Sequence, residues 1–170
     1  MSLDELRQHL PPPSRPTYVP DATDWRAAED ALGTALPTDY KEFLRAYGSG
    51  RVNDFLAIAS PGFPHRWGNL LAALEDQREV FAMTRHPVRY GLHPDRPGLL
   101  PIGGTDNGDT IFYLVDGEPD HWKIAVLPSR GRDVVVFDRG LTSFLAATMS
   151  RELDVFPEDF AEPSPNFTPR

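Results

Sequence analysis

Cysteine is missing from all 170 residues. Its absence excludes disulfide frameworks, thiol nucleophiles and cysteine zinc sites, and it suits a reducing compartment. Positive charge is scarce as well: 17 Lys and Arg stand against 25 Asp and Glu, a formal net charge of −8. Phosphate binding needs cations, so this balance argues against direct nucleic-acid binding and against anionic membrane surfaces. The same sign suits a basic protein partner. No apolar run approaches the roughly 18 residues of a membrane span; the longest, such as Ile111–Val115 and Val134–Phe137, are strand-sized. Met1 to Leu10 carries Asp4, Glu5, Arg7 and His9 where a signal peptide would be apolar. These absences predict a soluble, cytoplasmic protein.

Proline is present in excess, 18 residues, and it clusters toward the two ends. Pro11, Pro12 and Pro13 cannot continue a helix and favour an extended run. A short capped helix opening at Ser2 would therefore be cut off from the main body. The expected organisation is a proline-rich extension over residues 1–20, one domain over 21–156, and a proline-rich tail over 157–170. No internal repeat is visible.

Between these ends the apolar spacing is regular. Thr23 is placed to cap a helix with Trp25, Ala28 and Leu32 on one face and Gly33 as its stop. Tyr40, Phe43, Leu44 and Tyr47 follow helical spacing after Leu36-Pro37, and Gly48 ends that segment. A strand is expected over Phe55–Ile58 and a third helix from Asn69 to about Arg85. Pro87–Pro97 reads as too broken for regular structure. Leu99–Ile102, Thr110–Val115, Trp122–Leu127 and Asp133–Asp138 are rich in β-branched and aromatic residues, and they predict an antiparallel meander. Asn107-Gly108 and Asp116-Gly117 supply turn chemistry between them. A helix from Leu141 to about Arg151 closes the body. Helices first, strands second and a closing helix define an α+β class with a central, largely antiparallel sheet.

No catalytic motif emerges. Gly48-Ser49-Gly50 lacks the G-x-S-x-G spacing of a nucleophile elbow and follows a helix, where glycine is an ordinary stop. Gly103–Asp109 has glycines but no lysine, and a strand rather than a helix follows. Of His9, His65, His86, His93 and His121, no pair has the spacing of H-E-x-x-H. Asp106 and Asp109 fall short of a calcium loop. Neighbouring carboxylates such as Glu29-Asp30 and Glu75-Asp76 read as a solvated face. No catalytic residue, metal or cofactor is expected.

The ordered set of motifs resembles the SUKH superfamily, which includes bacterial toxin-immunity proteins and a fungal cell-wall-assembly regulator. The matching pieces are Trp25-x3-Glu29-x2-Leu32-Gly33, then Leu36-Pro37-x2-Tyr40-x2-Phe43-Leu44-x2-Tyr47-Gly48-Ser49-Gly50. Leu100-Pro101-Ile102-Gly103, Gly108-Asp109 and the closing strand into Leu141–Leu145 complete it, from about Asp24 to Arg151. The resemblance implies an α+β fold without catalysis, used by bacterial members to neutralise toxins, many of them nucleases or other nucleic-acid-modifying enzymes. A regulatory scaffold or small-ligand sensor on the same fold is the alternative.

Candidate partner-binding residues lie in and between two meander connections. They are Asp106 and Asp109 in the first, Asp116, Glu118 and Asp120 in the second, and Tyr113 and Trp122 on the strands. Ordinary turn chemistry is the alternative for the five acids. Both residue parities of Thr110–Val115 are apolar, so either both sheet faces are covered or one aromatic face is kept for a partner.

Overall fold

The computed structural model describes residues 3–84, 88–161 and 164–170. Chain order is α1 (Leu3–His9), α2 (Ala22–Leu32), α3 (Thr38–Tyr47), β1 (Gly50–Val52), β2 (Leu56–Ile58) and α4 (Leu70–Met83). Then come β3 (Gly91–Leu92), β4 (Gly98–Thr105), β5 (Thr110–Val115), β6 (Lys123–Leu127), β7 (Val135–Phe137), α5 (Leu141–Met149) and β8 (Phe167–Pro169). Arg85 and Pro87, at the expected edges of the third helix and the broken stretch, lie outside the described residues, as does His86.

Capping chemistry sets the helix boundaries. Asp21, not Thr23, caps α2: its carboxylate accepts the N–H groups of Thr23 (2.8 Å) and Asp24 (2.9 Å), while Asp24 accepts the Asp21 N–H. This reciprocal box satisfies donors that a first helical turn leaves orphaned, and Thr23 falls inside that turn. Asn69 caps α4 through Leu71 and Ala72. Glu29 ties α2 to α3, accepting the Leu36 N–H at 2.8 Å and pairing with Lys41 at 2.5 Å. Burial pushes the Glu29 carboxyl up, but the Lys41 and Leu36 donors outweigh it and hold the group below its usual range. Gly48 ends α3 at φ 69°, where a Cβ would meet the Thr17 carbonyl oxygen at 2.3 Å. Only glycine fits there without moving backbone.

The sheet runs β7-β6-β5-β4-β2-β1-β8, with every neighbour on that path antiparallel and β3 added in parallel beside β4. The meander β4–β7 matches the expected one. Three further strands stand where none was expected: β1 follows Gly48-Ser49, β3 lies inside the Pro87–Pro97 stretch read as too broken for regular structure and is held by its pairing with β4, and β8 lies in the proline-rich tail. The long strand β4 changes partner along one edge, from β3 at Gly98 to β2 at Gly103.

Both faces of β5 are buried. Ile111, Tyr113 and Val115 join the larger core with Tyr40, Phe43, Leu44, Tyr47, Phe144 and Leu145 from α3 and α5. Phe112 and Leu114 join a second cluster under Phe81 of α4 and the Val88–Leu92 segment. That settles the double apolar parity in favour of two covered faces. α1 is docked rather than cut off: Leu6 and Leu10 are fully buried, and the Tyr47 hydroxyl donates to the Leu10 carbonyl at 2.6 Å. The proline run turns the chain without detaching the helix, because an extended segment can still lead back to an apolar surface. The tail behaves likewise, with Phe160 and Phe167 in the core. Among the described residues no helix is long and apolar enough to cross a membrane.

Candidate partner-binding surfaces

The acidic candidates separate by what already holds them. Asp106 pairs with Arg51 of β1, at the β4–β5 end of the sheet. Asp109 accepts from the Thr105 hydroxyl (2.7 Å) and the Ser129 N–H (2.9 Å), so it organises its own turn. At the opposite end, Asp116 and Glu118 are exposed. Asp120 is committed to a fold contact. Its oxygens accept the Thr38 N–H at 2.7 Å and the Thr38 hydroxyl at 3.0 Å. Pro37, the residue at the start of α3, has no side chain able to cap it, and Asp120 supplies that cap from the β5–β6 connection.

This cap has a pH signature. The Thr38 N–H and hydroxyl hold the Asp120 carboxyl below its ordinary value of 3.8. The stabilisation is therefore complete above the unfolded value and is lost as pH falls through the folded one. Asp120→Ala is expected to cost about 1 kcal/mol at neutral pH. Urea melts from pH 7 to pH 3 should show the gap to wild type closing as acid is added.

Tyr113 and Trp122 sit at 0% and 2% exposure. The Tyr113 hydroxyl donates to Asp39 at 2.8 Å, and the Trp122 indole N–H donates to the Gly117 carbonyl at 3.1 Å. Burial is the first cause raising the Tyr113 phenol well above its usual range, and the adjacent Asp39 carboxylate adds to it. The rings meet edge to face at 5.9 Å. Tyr113 offers no face to a partner, because α3 and α5 cover that side of the meander. Trp122 is nearly as buried, but it also lines a surface pocket beside Asp120.

Two surface features at opposite ends remain open. At the acidic end, Asp39, Glu42, Asp120 and Trp122 line a pocket of about 270 Å³, with Thr38, Pro119, Gly140 and Ser143 completing its wall. Asp116 and Glu118 lie in the same connection as its Pro119–Asp120 wall. A lysine or arginine side chain reaching this pocket would meet three carboxylates.

The second feature was missed by sequence reasoning. On the face of the sheet shared with Phe112, α4 covers the meander but leaves β1 and β2 open. A cleft of about 420 Å³ results, floored by Ala57, Gly103 and Gly104 and walled by Trp67, Arg51 and Arg170. A Cβ at Gly103 would lie 2.6 Å from the Ala57 carbonyl oxygen, so the floor depends on that glycine. Trp67 is 61% exposed in the short turn before α4. It continues a string of rings through Phe63 (5.0 Å) to Tyr18, itself 53% exposed. The Arg170 guanidinium lies over the Trp67 ring at 4.1 Å. The available signal was a tryptophan in a non-periodic loop, Pro64-His65-Arg66-Trp67-Gly68. Arg51 and Arg170 carried none, since their strands were not recognised.

Among the described residues, no group of three or more His, Cys, Asp or Glu is arranged to hold a metal ion. A family model described as SMI1-KNR4 cell-wall matches residues 22–145. No curated protein matches the chain. A solved structure described as a protein from Pseudomonas syringae pv. tomato is 18% identical, covering 86% of this chain and 92% of its own, with a TM-score of 0.48. Trp25, Glu29, Leu32 and Tyr40 of the quoted motifs are the residues that build the α2–α3 unit, and all lie inside the matched span. The chain belongs to the SMI1-KNR4 family of the SUKH superfamily.

Proposed function

We propose that this protein is a non-catalytic immunity protein that binds and neutralises a toxin domain of basic character. The reading is carried by the acidic end, where exposed Asp116 and Glu118 accompany a pocket lined by Asp39, Glu42 and Asp120. The negative charge of the whole chain would accelerate encounter with a basic surface, and the pocket would receive one of its cationic side chains. Family membership and the absence of a recognisable catalytic motif support the same reading. It acts by occupying its partner, without turnover.

Co-expression with the toxin domain encoded beside its gene is the direct test. Growth should be restored, and the purified pair should associate. Asp116→Lys with Glu118→Lys should slow association by about tenfold at low salt and less at high salt, with an unchanged melt. Asp120 is left out because its loss would also uncap α3. Growth arrest that persists on co-expression would sink the proposal.

A small-ligand sensor is favoured by one observation, a second cavity of about 410 Å³ lined by Val80, Phe81, Val88, Leu127 and Pro128. Cavities of about 300–1,000 Å³ are the usual size for small-molecule sites. Methyl NMR of Val80 and Leu127 against a library of apolar fragments tests this reading, and unmoved signals would remove it.

A further inference from the structure

The cleft at the other end of the sheet carries charges of both signs. Two guanidinium groups, Arg51 and Arg170, line it together with Asp76 and Asp106. Both carboxylates are already engaged, Asp106 by Arg51 and Asp76 by Arg66 at 2.5 Å. Arg170 makes no ion pair among the described residues; its contact is the face of Trp67. A guanidinium stacked on a ring uses its face, so its in-plane N–H donors stay available for a planar acceptor. Burial, and then the neighbouring Arg51 charge, push the Arg170 guanidinium below its usual range, against a smaller upward pull from Asp106. A second carboxylate, in the plane of the fork, would counter the Arg51 charge further.

We propose that this cleft receives an acidic side chain of the partner protein, its carboxylate on Arg170 and an adjoining aromatic or apolar side chain against the part of Trp67 that Arg170 and the stacked His65 ring leave exposed. The proposal rests on the protein-binding reading above and adds a second, charge-opposed contact to it. Carboxylate is the chemistry that matches a guanidinium fork. A volume of about 420 Å³ exceeds what a lone carboxylate fills, and exposed Trp67 and Tyr18, which both pack on the buried Phe63 ring, extend aromatic surface beyond it. A protein segment uses both; a free anion uses only the first. Tryptophan and arginine are also the residue types that dominate binding energy at protein interfaces. The acidic end and this cleft stand at opposite ends of the sheet, and Arg170 is the cleft's one guanidinium without an ion pair among the described residues. Only a partner carrying the complementary pair in the right order engages both, which fixes orientation as well as identity.

The test is an NMR titration of the full chain with acetyl-Asp-Phe-amide, acetyl-Asn-Phe-amide and inorganic phosphate, read at the Trp67 indole N–H. The acidic dipeptide should shift that signal with at least tenfold higher affinity than its amide analogue. Phosphate at equal concentration should leave it in place. Arg170→Gln should remove the tenfold preference while the Trp25 and Trp122 indole signals hold their positions, which certifies the fold. Equal affinity for the two dipeptides, selectivity retained in Arg170→Gln, or competition by phosphate at equal concentration would each overturn the proposal. Growth rescue without dipeptide selectivity overturns this inference and leaves the immunity reading standing. Selectivity without rescue does the reverse.

Discussion

Deleting residues 1–10 is expected to lower the free energy of unfolding by at least about 4 kcal/mol. Leu6 and Leu10 are fully buried in the main core, against α3 and α5. Truncating one buried leucine to alanine costs about 2–5 kcal/mol, and the deletion removes both. It also takes the Leu10 carbonyl away from the Tyr47 hydroxyl, which lies in the core beside Phe43 and Phe167. Leu6→Ala is the point-mutation version and should cost about 3 kcal/mol. Urea or guanidinium melts decide the matter. A deletion variant with the wild-type midpoint would mean that α1 does not dock in solution.

Asp39→Ala should be nearly as damaging, at about 3 kcal/mol, the sum of a lost helix cap and an orphaned hydroxyl. Asp39 stands in the first turn of α3 but serves two other elements. One oxygen accepts the Tyr113 hydroxyl from β5, and the other accepts the Thr142 N–H at 3.3 Å in the first turn of α5. Gly140, at the start of α5, has no side chain to do this itself. A Cβ on Gly140 would lie 2.6 Å from the Asp39 carboxylate, so the glycine admits the cap. Together with Asp120 capping α3, each of these helices receives its N-terminal acceptor from elsewhere in the fold. A double-mutant cycle with Tyr113→Phe isolates one arm. The double variant should be more stable than the two single losses predict, by about 1 kcal/mol, because removing both partners leaves no unpaired hydroxyl. Strict additivity would show that Asp39 and Tyr113 do not interact.

Much of this architecture is legible in the amino-acid order. The spacing of Tyr40, Phe43, Leu44 and Tyr47 marks α3, and the Thr110–Val115 run marks β5 to the residue. What was not legible depends on partners distant in the chain. The strands β1 and β8 are three residues each, too short for alternation to register, and each is defined by its neighbours: Arg51 faces Ala57 on one side and Thr168 on the other. β3 has two residues and exists through its pairing with β4. The candidate site divides in the same way. Asp116 and Glu118 were recognisable as exposed acids of a connection. Asp120 looked identical to them, because nothing local reveals that Thr38 lies above it. Tyr113 and Trp122 read as contact residues on exposed strands, because the helices that pack over them, α3 and α5, lie far away in the chain. Trp67 and Arg170 meet across the fold, and neither predicts the other.

The docking of α1 against α5 has a consequence for biosynthesis. Helix α1 leaves the ribosome well before α5, yet the surface that buries Leu6 and Leu10 includes α5. At about 5–20 residues per second, the nascent chain holds that apolar helix without its final partner for many seconds. Closing so long a loop is entropically late by nature. Chains stalled before Leu141 should therefore be cut readily by protease within their first ten residues, and resistance should arrive in one step once α5 has cleared the exit tunnel.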